Sequence, residues 1–136
     1  MARLSRGHGR RLVVLTGGEP LLQVDTPLVE ALHAHGFEIA VETNGTVEPP
    51  PGLDWVCVSP KAGAPLKLRR GHELKVVVPQ AGQDLDALAG LAFDHFLLQP
   101  MDGPHLRENT QYAIAACLAD PRWRLSVQTH KTIGIR

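Results

Sequence analysis

The sequence predicts an α/β domain with a mostly parallel sheet and helices outside it. Three observations carry this. Short apolar runs without polar alternation, "LVVL", "WVCV" and "KVVV", fit strands covered on both faces rather than strands with one wet face. Stretches with apolar residues at helical spacing lie between several of these runs, and Gly, Pro and Asn punctuate the boundaries. Periodicity leaves open whether the sheet is flat and doubly wound or curved into part of a barrel.

The elements follow in order. Residues 1–10, "MARLSRGHGR", keep neither period and read as a basic, disordered leader, with one domain over 11–136. Leu12 to Leu15 is a first strand, buried on both faces and closed by Gly17 and Gly18. Thr26 is expected to cap a helix with Pro27 at its first position, Leu28, Ala31 and Leu32 as its apolar stripe and Gly36 as its stop. "FEIAVET" is a second strand, "EPPPG" a connection and "WVCV" a third strand. A loop holding Lys67, Arg69, Arg70 and His72 leads into "ELKVVVP", the fourth strand, and that charge run reads as solvated. "QDLDALAGLA" is a short helix and "HFLLQ" a fifth strand. Residues 109–119 form a helix with Ala113, Ile114, Ala116 and Cys117 inward, and "RLSVQ" is a sixth strand.

Composition narrows the function classes. The 136 residues carry 14 basic and 14 acidic side chains, so no global field draws the chain to nucleic acid or an anionic membrane. No apolar run reaches the roughly 18 residues of a membrane span and no apolar segment follows the leading arginines, so a cytoplasmic protein is expected. The two cysteines, Cys57 and Cys117, are too few and too far apart for a disulfide framework or a Cys-x-x-Cys metal site, and each reads as a small buried apolar residue. His33 and His35, two apart on a helix, diverge and read as solvent-side residues, so no metal ligands are assigned.

Polar residues collect after the strands: Thr16-Gly17-Gly18-Glu19, Glu42-Thr43-Asn44-Gly45, Ser59-Pro60-Lys61, Gln99-Pro100-Met101-Asp102 and Gln128-Thr129-His130-Lys131. In parallel α/β folds the C-terminal strand ends share one rim, where ligands bind. Most of these residues are not strong turn formers, so a polar small molecule with several hydrogen-bonding groups is expected there. Gly17 and Gly18 let a backbone approach a ligand closely, yet neither G-x-x-x-x-G-K-[ST] nor G-x-G-x-x-G is present. Glu19 would repel a phosphate and suits an ammonium group; as these residues stand, a tight turn with a solvent-facing glutamate weighs equally.

"TGGEP" after a strand resembles the motif by which radical S-adenosylmethionine enzymes meet the amino group of the methionine portion. Within them, "VETNGT", "VSPKAGAPL", "ELKVVVP", "LLQPMDGP" and "WRLSVQTHK", in this order, are similar to the 7-carboxy-7-deazaguanine synthases, and the likeness runs from about Arg11 to the end. The resemblance implies a partial open (β/α) barrel lacking its N-terminal strand. It also implies a lyase that contracts 6-carboxy-5,6,7,8-tetrahydropterin to 7-carboxy-7-deazaguanine with loss of ammonia, on the way to queuosine in transfer RNA and other 7-deazapurines, and a homodimer when complete. Matched onto this chain, Gly18, Glu19, Ser59, Pro60, Lys61, Gln99, Pro100, Met101 and Asp102 would bind S-adenosylmethionine. Thr16, Glu42, His130 and Arg136, the last through backbone, would meet the pterin.

One departure matters. The family holds a four-iron, four-sulfur cluster on three thiolates of a loop ahead of the Gly-Gly-Glu-Pro motif, and a hydroxyl in that region helps hold magnesium. No cysteine precedes Arg11, and Cys57 in a strand and Cys117 on a helix cannot replace three on one loop. Reductive cleavage of a sulfonium needs a low-potential electron from a thiolate-bound cluster, so the chain alone is expected to be inactive, with no catalytic residue assigned. A fragment or mis-started reading of a synthase is expected. The alternatives are half of a split enzyme and a non-catalytic S-adenosylmethionine- or pterin-binding module.

Overall fold

Six strands lie side by side in chain order. The computed structural model describes residues 11–135, and the leader and Arg136 fall outside them. The order is β1 (Arg11–Leu15), α1 (Thr26–Ala34), β2 (Phe37–Thr43), β3 (Trp55–Val58), β4 (Arg70–Val78), α2 (Leu85–Ala89), β5 (Ala92–Pro100), α3 (Leu106–Ala119), β6 (Trp123–Leu125) and α4 (Thr129–Thr132). A 3-10 turn, Pro20–Leu22, follows the first strand. The sheet runs β1-β2-β3-β4-β5-β6, and every neighbouring pair is parallel. Strand order never reverses, which excludes the doubly wound alternative. Right-handed crossovers that always step the same way pass over one face of the sheet.

The two faces of the sheet are accordingly unequal. Along β4, Leu74, Val76 and Val78 are buried within the main core with Val41, Val58 and Leu98, while Glu73, Lys75 and Val77 between them are only half-buried. The expectation of strands buried on both faces therefore needs correction. An apolar run reports one covered face reliably; what lies on the other depends on the rest of the fold. The contrast is sharpest on β1, an edge strand among the described residues, where Leu12 and Val14 are 60% and 48% exposed.

Other expectations shift in detail. Asp25, not Thr26, caps α1: its carboxylate accepts the Leu28 N–H at 3.0 Å, and Thr26 and Pro27 form the first turn. The buried residue of α1 is Val29, with Leu28 and Ala31 exposed. On α3, Ala113 is fully buried and Ala116 and Cys117 pack against the core, but Ile114 faces outward. Arg70 and His72 belong to β4 instead of the preceding loop, and His72 stacks on Trp55 with ring centroids 4.9 Å apart. "RLSVQ" pairs only as far as Leu125, with Arg124 opposite Leu97 and Leu125 opposite Leu98, because the chain then turns into α4. No helix among the described residues is long and apolar enough to cross a membrane.

Candidate functional site

Parallel strands bring the residues after β1, β2, β3 and β5 to one end of the sheet, where they enclose a cleft of about 370 Å³. Thr16, Gly17 and Gly18 come from the first strand's loop; Glu42, Thr43 and Asn44 from the end of β2; Ser59 and Lys61 from beyond β3; Gln99 from β5; and Gln128 from the turn before α4. Lys75 of β4 completes the lining. Hydroxyls, amides, two ammonium groups and one carboxylate in a single cleft suit a guest bearing both charges and several polar groups.

The Gly-Gly turn forms an open cradle. Gly17 and Gly18 adopt φ of +87° and +48°, where side chains are strained, and a Cβ built on either would meet no atom within 4 Å. The space above them is free for a ligand. Gly45 differs: its φ is +77°, and an added Cβ would lie 2.6 Å from Leu66 and 2.8 Å from Val58, so packing alone demands glycine there.

Glu19 is not among the lining residues. Its Oε1 accepts the Thr43 hydroxyl at 2.6 Å and the Leu21 N–H at 3.1 Å, and its Oε2 accepts the Asn44 N–H at 2.8 Å. Thr43, only 3% exposed, in turn accepts the Gly45 N–H at 3.1 Å through Oγ1. The Gly45 carbonyl then receives Lys67 and Leu68 N–H groups at 2.9 and 3.0 Å. One carboxylate thus ties the loop after β1 to the end of β2.

On the open sheet face, Lys75 Nζ lies 3.1 Å from Glu42 Oε1. Burial opposes the Lys75 charge, but the facing acidic groups, with Glu42 hydrogen-bonded to it and Glu73 close by, outweigh burial and hold the ammonium above the ordinary lysine range. The buried Cys57 thiol donates to Glu73 Oε1 at 3.3 Å, and burial pushes its pKa up to about 12, so it remains a thiol.

A second, more apolar cavity of about 430 Å³ adjoins the cleft through Gln128 and is lined by Pro100, Asp102, Leu106, Thr110, Val127 and Lys131. Asp102 pairs with Lys131, whose hydrogen bond holds the Asp102 carboxyl below its usual range. Met101 is partly exposed, with its N–H on the Val78 carbonyl at 2.7 Å.

Of the residues singled out from sequence, Thr16, Gly18, Glu42, Ser59, Lys61 and Gln99 converge on the cleft, and Pro100 and Asp102 on the adjoining cavity. Pro60, with Lys61, borders a shallow depression beside Asp84 and Leu88. His130 is exposed on α4 and lines none of these spaces, and Arg136 is outside the described residues. Lys75 was the residue missed. Its signal was a lysine inside an apolar strand, a position that needs a partner.

The side chains lining the cleft offer no set of thiolates for an iron–sulfur cluster. Two cysteines in the whole chain cannot supply three thiolates. Among the described residues no group of three or more His, Cys, Asp or Glu is placed to hold a metal ion such as magnesium.

No family model matches the chain. It is 64% identical over 135 residues to the 7-carboxy-7-deazaguanine synthase of Bradyrhizobium diazoefficiens, covering 99% of this chain and 64% of that protein. It is 62% identical over 125 residues to the synthase of Bordetella pertussis, covering 92% of this chain and 60% of that one. The crystal structure of QueE from Escherichia coli superposes with a TM-score of 0.69 at 35% identity, over 93% of this chain and 59% of the other. The chain thus spans about three fifths of the length of these relatives. The first of these likenesses covers 99% of the chain and so takes in most of residues 1–10, beyond the start at about Arg11 expected from the motifs, and the six parallel strands agree with a (β/α) layout of the radical S-adenosylmethionine type. Over the stretch it spans, the chain is similar to 7-carboxy-7-deazaguanine synthases in both sequence and fold.

Proposed function

We propose that the chain forms the S-adenosylmethionine- and pterin-binding rim of a 7-carboxy-7-deazaguanine synthase, the lyase that contracts 6-carboxy-5,6,7,8-tetrahydropterin with loss of ammonia. The observation that carries this is the convergence of five strand-end segments on one mixed-charge cleft with an open Gly17-Gly18 cradle. S-adenosylmethionine, when bound, would supply radical chemistry for hydrogen abstraction, given an electron that none of these residues delivers. The thiolates for the cluster, and the magnesium site, come in this reading from residues other than these 136.

The chain's own contribution is binding and orientation. Gly18 and the cradle receive the amino-acid end of S-adenosylmethionine. Glu19 takes part through the acceptor capacity left to it, since three donors occupy a carboxylate with about four lone-pair sites. Ser59, Pro60, Lys61, Gln99 and Met101 hold the remainder of the cofactor with Pro100 and Asp102, whose apolar cavity suits an adenine ring. Thr16 and Glu42 face the pterin across the cleft; His130 and Arg136 are assigned to it through the family resemblance. The working enzyme is a cytoplasmic homodimer.

Titration calorimetry of this chain with S-adenosylmethionine, without iron, tests the reading. Saturable one-site binding with no release of 5′-deoxyadenosine is expected. Absence of heat for both S-adenosylmethionine and 6-carboxypterin would overturn it.

A further inference from the structure

Lys75 sits in mid-strand between the buried Leu74 and Val76, with its side chain only 17% exposed. A covered ammonium needs a partner, and two carboxylates are near. Glu73 already accepts the Cys57 thiol. Lys75 instead reaches past β3, which separates β4 from β2, to Glu42 Oε1. Both residues of the pair line the cleft, and Glu42 Oε2 takes no hydrogen bond among the described residues. An ion pair that served packing alone would leave neither partner turned to a ligand space.

We propose that Lys75 is a positioning residue, fixing one oxygen of Glu42 so that the carboxylate presents its free acceptors to the amino-pyrimidinone edge of the pterin. That edge carries adjacent N–H donors, which a carboxylate receives well. The inference rests on the pterin reading given above and extends it to the residue behind the contact.

The test is calorimetry with 6-carboxypterin and, separately, S-adenosylmethionine on the wild-type chain, Lys75→Met, Lys75→Arg, Glu42→Gln and the Lys75→Met/Glu42→Gln double variant. Lys75→Met is expected to weaken 6-carboxypterin binding about tenfold and to leave S-adenosylmethionine within about twofold. Lys75→Arg restores most of the loss, and the double variant binds no worse than Glu42→Gln. Unchanged 6-carboxypterin affinity in folded Lys75→Met, equal loss of both ligands, or strict additivity of the two substitutions overturns the proposal. Should Lys75→Met not fold, Lys75→Gln carries the same comparison, and failure of both to fold shows a purely structural pair. A wild-type chain that ignores 6-carboxypterin removes the underlying reading, a result separate from any difference among the variants.

Discussion

Glu19 Oε1 accepts the hydroxyl of Thr43 at 2.6 Å, across 24 residues of sequence. With the Asn44 and Leu21 N–H groups on the same carboxylate, the acid of the Gly-Gly-Glu-Pro motif braces the rim from behind. The cleft's shape therefore depends on a side chain that does not line it.

Glu19→Gln replaces one acceptor oxygen by an NH₂ that must face a donor. An unsatisfied or repelled donor costs about 1–3 kcal/mol. Urea unfolding should show a loss of that size, with Thr43→Val, which removes the bond's other partner, also destabilised. Wild-type stability in Glu19→Gln would show that the brace is not formed.

Glycine substitutions should separate cradle from packing. Gly18→Ala meets only backbone strain, about 1–2 kcal/mol, because no atom lies within 4 Å of the new methyl. Gly45→Ala adds overlap with Leu66 and Val58 to the same strain and should cost clearly more. In contrast, S-adenosylmethionine affinity should fall more for Gly18→Ala than stability does. Thermal unfolding and calorimetry on the two variants decide it; the reverse ordering of stabilities would contradict the geometry.

Cys57 gives a pH prediction. Its folded pKa, about 12, is raised above the 9.0 of an unperturbed thiol. A group raised on folding contributes its stability in full below the unfolded value and loses it as pH climbs to the folded one. Stability should fall from about pH 9 toward 12, less steeply in Cys57→Ala, and the folded wild type should react slowly with thiol reagents at pH 8. Rapid labelling of Cys57 at pH 8 without unfolding would refute the assignment.

How far the sequence reveals this arrangement depends on the range of the interactions. Strands β2 and β3 and the fourth and fifth strands' centres were legible because apolar runs and turn residues are local signals. The rim was legible because parallel strands must all end on one side. The Asp25 cap lay one residue before the Thr26 expected, since both types can cap and the choice rests on backbone geometry. Val29 and Ile114 were misjudged because a stripe's orientation is set by the sheet beneath it. Glu19's engagement with Thr43 and Asn44, and Lys75's with Glu42, join residues 24, 25 and 33 apart, which no periodicity reports.

The most direct measurement is a backbone amide NMR titration of the chain with S-adenosylmethionine. Shifts should concentrate at Gly17, Gly18, Asn44, Ser59, Lys61 and Gln99 and leave the exposed residues of α1, such as Glu30 and Ala34, unmoved. Shifts confined to surfaces away from these strand ends, or none at saturating ligand, would contradict the account.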